Sequence, residues 1–342
     1  MIRLLKVIYR IFYTILKLKI RIKFNCADCK YIVWAPHFFT LRFLHGDNFP
    51  KSVSMYKALK QQNKKVCIYT KNDIGIFKNK TIFIVGSPMY NIYGFDDYVD
   101  ILFHIVGQLE HQNNKVLPNL MQIKYWENKV YMHEMFEKLD INTPKSVIVD
   151  SIASIEKLNL TYPFLIKEPH SCSANGVYKV SSENELVSMS KNITFQDKII
   201  VQELLNIKKD LRVIIVGNKI VLHYWRINLS DEWKPTSTGF GSDVDFISFP
   251  KEWKDNIVDT MKKLKLDTGA FDIAWQNDDI TTEPYFLEVS PYYQPNPIPD
   301  FNLDKLSYGK WKKSFSLKNN YNKKMIDILF DIQSKYIDEV TK

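Results

Sequence analysis

Cysteine is sparse, with Cys26, Cys29, Cys67 and Cys172 the only four in 342 residues. Such usage suits a reducing cytoplasm and leaves too few pairs for a disulfide framework. Cys26-x-x-Cys29 could join His37 and His45 around zinc, but no second CxxC and no HxxxH supports it, so the expectation is two small residues entering a strand. No charge-free apolar run approaches the roughly 18 residues of a spanning helix. No GxxxxGK[ST] is present, which excludes a Walker phosphate loop, and no GxSxG or persuasive Cys/His pair offers a nucleophile. Acidic residues are missing altogether from positions 1–24.

That last absence explains the charge. Arg3, Lys6, Arg10, Lys17, Lys19, Arg21 and Lys23 supply +7 of the net +9, leaving +2 for everything else. The folded body therefore carries no basic excess of the kind a nucleic-acid surface needs. Across 2–18 the basic residues gather on one side of a 3.6-residue wheel, and Leu4, Leu5, Val7, Ile8, Ile11, Phe12, Ile15 and Leu16 fill the rest. The pattern predicts a basic amphipathic helix lying on an anionic membrane, with packing on the protein body as the alternative. No small-residue cleavage site follows it, so it does not read as a signal peptide.

What is present in quantity is globular: 45% hydrophobic and 14% aromatic residues over a length that calls for two or three lobes. Apolar runs at 31–35, 65–70 and 81–86, with a helical pattern at 52–62 and another at 97–112, predict a small leading α/β layer over 25–118. His37, Arg42 and His45 within it read as loop or core residues rather than substrate contacts. A body over 119–300 and a helical tail over 301–342 complete the chain.

The chemistry gathers in the body. A helix is expected from Lys129, and an apolar strand ends at Lys167 just before the small-residue loop 171–176, a place where an ammonium and backbone N–H groups could meet phosphate. Residues 199–205 form a strand leaving through Glu203, Leu204 and Leu205. Strands 210–216 and 219–226 are joined by Gly217-Asn218, a hairpin turn. Runs 270–275 and 285–289 form a second hairpin, and each carries a carboxylate, Asp272 and Glu288, where an unpaired charge would be costly. A divalent cation would remove that conflict, since Mg2+ takes one or two carboxylates and completes its shell with water and phosphate oxygens.

In order and spacing these residues resemble the ATP-grasp superfamily, nearest the glutathione synthetase and ribosomal-protein glutamate ligase type. The resemblance covers about residues 115–297 and rests on Lys129, Lys167, Glu203, Asp210, Arg212, Arg226, Asp272 and Glu288. It implies an α/β (α+β) ATP-grasp fold behind the small α/β lobe and the N-terminal helix, with ATP and Mg2+ as cofactors. Lys129 and Lys167 would bind phosphates, Glu203 with Leu204 and Leu205 would hold adenine, and Asp210 would sit near the ribose. Arg226 and Lys234 would act near the transferred phosphoryl group and the substrate carboxylate. The chain departs from the family in reading Glu288-Val289-Ser290 where Glu-x-Asn is common, so Ser290, or Asn296 in its place, is the expected third metal ligand. The small-residue loop is also glycine-poor.

The implied activity is an ATP-dependent carboxylate–amine ligase working through an acyl phosphate. Its partners would be a small-molecule or glycan-linked carboxylate and an amine, on the inner face of a membrane. A small-molecule kinase and a non-catalytic, membrane-associated nucleotide-binding module are the alternatives.

Overall fold

The computed structural model describes residues 26–36, 48–85, 95–126, 128–155, 160–171, 176–192, 198–295 and 321–341, with isolated positions between them. Arg3, Lys6, Arg10, Lys17, His37, Arg42, His45, Asn296 and the segment 298–320 lie outside the described residues. The described chain forms two compact units, 1–123 with 315–342, and 124–314.

The first unit is built on a five-stranded parallel sheet: β1 (Ile22–Lys23), β2 (Tyr31–Trp34), β3 (Val66–Tyr69), β4 (Thr81–Ile84) and β5 (Lys115–Leu117), in the order β1-β3-β2-β4-β5. β3 and β4 are buried at every position, as the unbroken apolar runs require of parallel strands covered on both faces. Helix α1 (Asn48–Gln61) buries Phe49, Val53, Tyr56 and Leu59, and α2 (Phe95–His111) buries Leu102, Val106 and Leu109. The C-terminal helix Tyr321–Val340 belongs to this unit. It buries Met325, Leu329, Ile332 and Tyr336 and meets α1 through Lys57, which pairs with Asp327 at 3.3 Å.

One sequence expectation is corrected here. Cys26 and Cys67 are disulfide-bonded, 6.6 Å apart at Cα, because Cys26 lies close ahead of β2 and Cys67 lies on the neighbouring strand β3. Cys26 is thus removed from any zinc site, and Cys29 is buried outside the disulfide.

The second unit holds two antiparallel sheets. One contains β6 (Ser146–Val149), β7 (Phe164–Lys167), β8 (Val177–Val180) and β9 (Ile199–Glu203), ordered β6-β9-β7-β8. The other contains β10 (Lys209–Val216), β11 (Lys219–Ile227), β12 (Asp243–Asp245), β13 (Thr268–Ala274) and β14 (Tyr285–Ser290), ordered β12-β11-β10-β13-β14. Both hairpins read from the sequence are present. On one face of the larger sheet Leu211, Val213, Ile215, Trp225, Phe271 and Ile273 form a core with Met132 and Phe136 of α3 (Lys129–Lys138) and with Ile257 and Met261 of α4 (Lys254–Lys263). Strand alternation sends the intervening residues to the opposite face.

The connector after β9 is fixed to the larger sheet. Asn206 accepts from Asn277 N and donates to Asn277 Oδ1, and Asp278 accepts from the backbone N–H groups of Lys208 and Lys209. Asn277 and Asp278 have φ of 57° and 56°, a conformation short polar side chains tolerate.

Candidate active site

The opposite face of the larger sheet carries the charges, and the register explains their assembly. Asp210 pairs across from Arg226, Arg212 from Asp272, and Asp272 from Glu288. Since Asp210 and Arg212 are two apart on one strand, both side chains leave the same face.

The resulting cluster is tightly bonded. Arg212 donates through Nε and Nη2 to the two oxygens of Asp272, both at 2.7 Å. Arg226 Nη2 reaches Asp272 Oδ2 at 2.8 Å, while its Nε donates to Asp210 Oδ1 at 2.8 Å and Nη2 also bonds Asp210 Oδ2. Burial opposes the charge on Asp272, but Arg212 and Arg226 outweigh it and hold the carboxyl well below its ordinary range. Burial pushes the Asp210 carboxyl up, against the pull of Arg226.

The ion pairs give two of the predicted site residues partners that the sequence did not show. Asp272 does not lie unpaired in its strand, because two guanidinium groups already compensate it. Asp210 is 2% exposed and bonded to Arg226, so its carboxylate supports that arginine. Arg212, given no role in the sequence reading, is the bidentate partner of Asp272. The Asp210-x-Arg212 spacing, one face at period two, signals that these two side chains lie together but not which strand supplies their partners.

Lys167 closes β7 within electrostatic reach of both Asp272 and Glu288. Burial pushes its ammonium down to about 8; Glu288 opposes that shift, Lys129 adds to it, and Asp272 opposes it. Lys129, 6% exposed, donates to the carbonyl of Ser171 and, at 2.9 Å, to its hydroxyl. Its backbone N–H bonds Pro169 O at 3.1 Å, so the start of α3, capped by Asn128, is fixed to the small-residue loop. The structure thus gathers Lys129, Lys167, Asp272 and Glu288 in one region. His133, one helical turn beyond Lys129, is buried with neither ring nitrogen hydrogen-bonded, and burial followed by the charges of Lys167 and Lys129 pushes it down to about 3.

The remaining candidates are placed differently. Ser290 shares the Glu288 face, but its hydroxyl donates to Tyr292 O at 2.7 Å and accepts from Tyr292 N at 3.2 Å. It is engaged in its own turn, which disfavours it as a metal ligand. The Glu203 side chain accepts from Lys145 N at 2.8 Å, while Leu204 is half-buried and Leu205 buried. Lys234 is exposed on the loop between β11 and β12. No group of three or more metal-ligating side chains occurs among the described residues. The pair Asp272 and Glu288, directly opposite one another on adjacent strands, nevertheless fits Mg2+, whose protein ligands are commonly one or two carboxylates.

Two antiparallel sheets, with Lys167 on one, Asp272 and Glu288 on the other and Lys129 at the start of α3, define the class: this is the ATP-grasp fold. More particularly, residues 126–294 match the family model of the RimK-like ATP-grasp domain. The chain is 24% identical over 188 residues to coenzyme gamma-F420-2:alpha-L-glutamate ligase of Methanococcus maripaludis, covering 51% of this chain and 66% of that protein. It is 26% identical over 209 residues to D-alanine–D-alanine ligase of Prochlorococcus marinus, covering 59% of this chain and 56% of the relative. These matches span between about half and two thirds of the relatives' lengths. Among solved structures, D-alanine–D-alanine ligase of Bacillus anthracis complexed with ATP aligns with a TM-score of 0.55 at 16% identity, over 92% of this chain and 99% of that one. ATP with Mg2+ is the nucleotide and metal pair of ATP-grasp ligases.

Proposed function

We propose that the protein is an ATP-dependent carboxylate–amine ligase. The observation that carries the reading is the convergence of Lys129 and Lys167 with Asp272 and Glu288 inside a RimK-like ATP-grasp domain. Lys129 and Lys167 bind the nucleotide phosphates as point charges, and Asp272 with Glu288 would hold Mg2+, which supplies charge neutralisation between the phosphates. The substrate carboxylate attacks the γ-phosphorus, ADP leaves, and an amine displaces phosphate from the acyl phosphate. Arg226, braced by Asp210, provides fixed positive charge for the transferred group. Positioning and electrostatics carry the catalysis, so no protein nucleophile is required.

Incubation with Mg-ATP and a panel of carboxylates and amines tests this. ADP release with a product mass equal to an amide is the expected result. A phosphorylated alcohol would make it a kinase, and the absence of ATP binding would make it a non-catalytic module.

Residues 1–24 extend the proposal to an acceptor at an anionic membrane surface, a lipid-linked or glycan-linked substrate on the inner face. What favours it is that Phe12 and Leu16 are exposed, at 58% and 75%, instead of being covered by the first unit.

A further inference from the structure

The face of the larger sheet that points away from the ion-pair cluster holds a cavity of about 270 Å³. Lys209, Trp225 and Ile227 form its sheet side, and Phe249, Pro250 and Ile280 close the rest. Five of the eight lining residues are therefore apolar or aromatic, with Lys209, Asp245 and Ser248 supplying the polar part. The Lys209 ammonium lies 4.7 Å from the centre of the Trp225 ring and makes no ion pair among the described residues. The indole is fixed by its own Nε1–H, which donates to Ser248 O at 2.9 Å. Asp245, which also lines the cavity, spends its carboxylate on the turn after β12, accepting from Ile247 N, Ser248 N and Ser248 Oγ at 2.8, 3.2 and 2.6 Å.

We propose that this cavity is a second ligand site that takes a small aromatic monocarboxylate, separate from the nucleotide site. An aromatic floor with an ammonium over its face fits a planar apolar body whose anionic arm pairs with Lys209. A cationic ligand is disfavoured, because Lys209 would repel it and the Asp245 oxygens are already engaged. The size points the same way. The space exceeds the roughly 150 Å³ that accommodates a benzene and falls short of the roughly 300–1,000 Å³ of drug-sized sites, so it holds one ring and a short arm. The site also lies back to back with the ion pairs: Lys209 and Ile227 are register partners, and so are the next residues inward, Asp210 and Arg226. An occupant contacts the strands that hold Arg226.

Phenylacetate is the probe, titrated into the full-length protein by calorimetry with and without saturating ADP. The expected result is saturable binding that persists with ADP present, falls about tenfold or more with phenylacetamide, and falls similarly in Lys209→Met. Ile280→Trp, which fills the cavity, should abolish phenylacetate binding while ADP binding is retained, and that retention verifies the fold of each variant. Absence of saturable binding, equal affinity for the amide, or unchanged affinity in both variants overturns the proposal. Displacement of phenylacetate by ADP overturns it too, because the probe would then occupy the nucleotide site.

Discussion

Asp272 combines two roles, of which its neighbour Glu288 shares only the first, and the difference can be measured. It is a proposed metal ligand and also the anion that compensates Arg212 and Arg226 in the interior. Removing one partner of a buried, hydrogen-bonded ion cluster leaves charge unpaired at a cost of about 3–5 kcal/mol. Asp272→Asn should therefore lose Mg-dependent ADP formation and lower the unfolding free energy by that order. Half-buried Glu288→Gln should lose the same activity with little change in denaturant midpoint. Equal midpoints for both variants would show that the arginines do not depend on Asp272. Lys167 gives a pH prediction at the same scale. Its folded value of about 8 lies below the ordinary 10.5. Nucleotide affinity should decline as pH rises through about 8, because the ammonium that meets phosphate is lost. The sign for stability is opposite. Between about 8 and 10.5 the unfolded chain binds more protons at this position, so stability rises with pH across that window. Lys167→Met should flatten both slopes, as nucleotide titrations and urea melts on either side of that window would reveal.

At the scale of elements, legibility follows the period of the pattern. The two hairpins of the larger sheet were readable because alternating or continuous apolar runs are punctuated by Gly217-Asn218 and by the polar turn at 276–284. That both carboxylates of the second hairpin would lie opposite each other follows from its register. The arginine partners of Asp272 were not readable, because β10 and β13 are separated by more than fifty residues and nothing local sets their pairing. The Cys26–Cys67 bond was hidden for the same reason: it depends on the strand order of the parallel sheet. The loop between β7 and β8 yields a sharper test. Gly176 has φ of 69°, and a Cβ there would come within 2.7 Å of the Glu168 carboxylate, which accepts from the Tyr178 hydroxyl at 2.7 Å. The left-handed conformation alone costs a non-glycine residue about 1–2 kcal/mol. Gly176→Ala should therefore destabilise the protein by at least that amount and weaken ATP binding by displacing Glu168 from the loop that Lys129 braces. Unchanged ATP affinity with full stability would mean that the loop conformation is not set at this glycine.

Taken whole, the molecule divides its charge in a way that catalysis does not require. Seven basic residues and no acid occupy positions 1–24, while the rest of the chain carries only +2. No described helix is long and apolar enough to cross a membrane. A surface-lying amphipathic segment needs two things, an apolar side left uncovered and cations to meet anionic headgroups. Phe12 and Leu16 supply the first where they are described, and the sequence supplies the second. Each basic residue near an anionic surface contributes about 1 kcal/mol, and the attraction fades over about 10 Å at 0.1 M salt. The full-length protein should therefore sediment with anionic liposomes at low salt, remain in solution with neutral ones, and be released as salt is raised. A chain starting near Asn25 should stay in the supernatant throughout and still bind ATP, since every proposed nucleotide and metal residue lies in the unit spanning 124–314. Full-length protein recovered in the supernatant regardless of lipid charge and salt would reject membrane docking. The ligase proposal would survive that outcome, because its residues and those of the basic segment belong to different units of the chain.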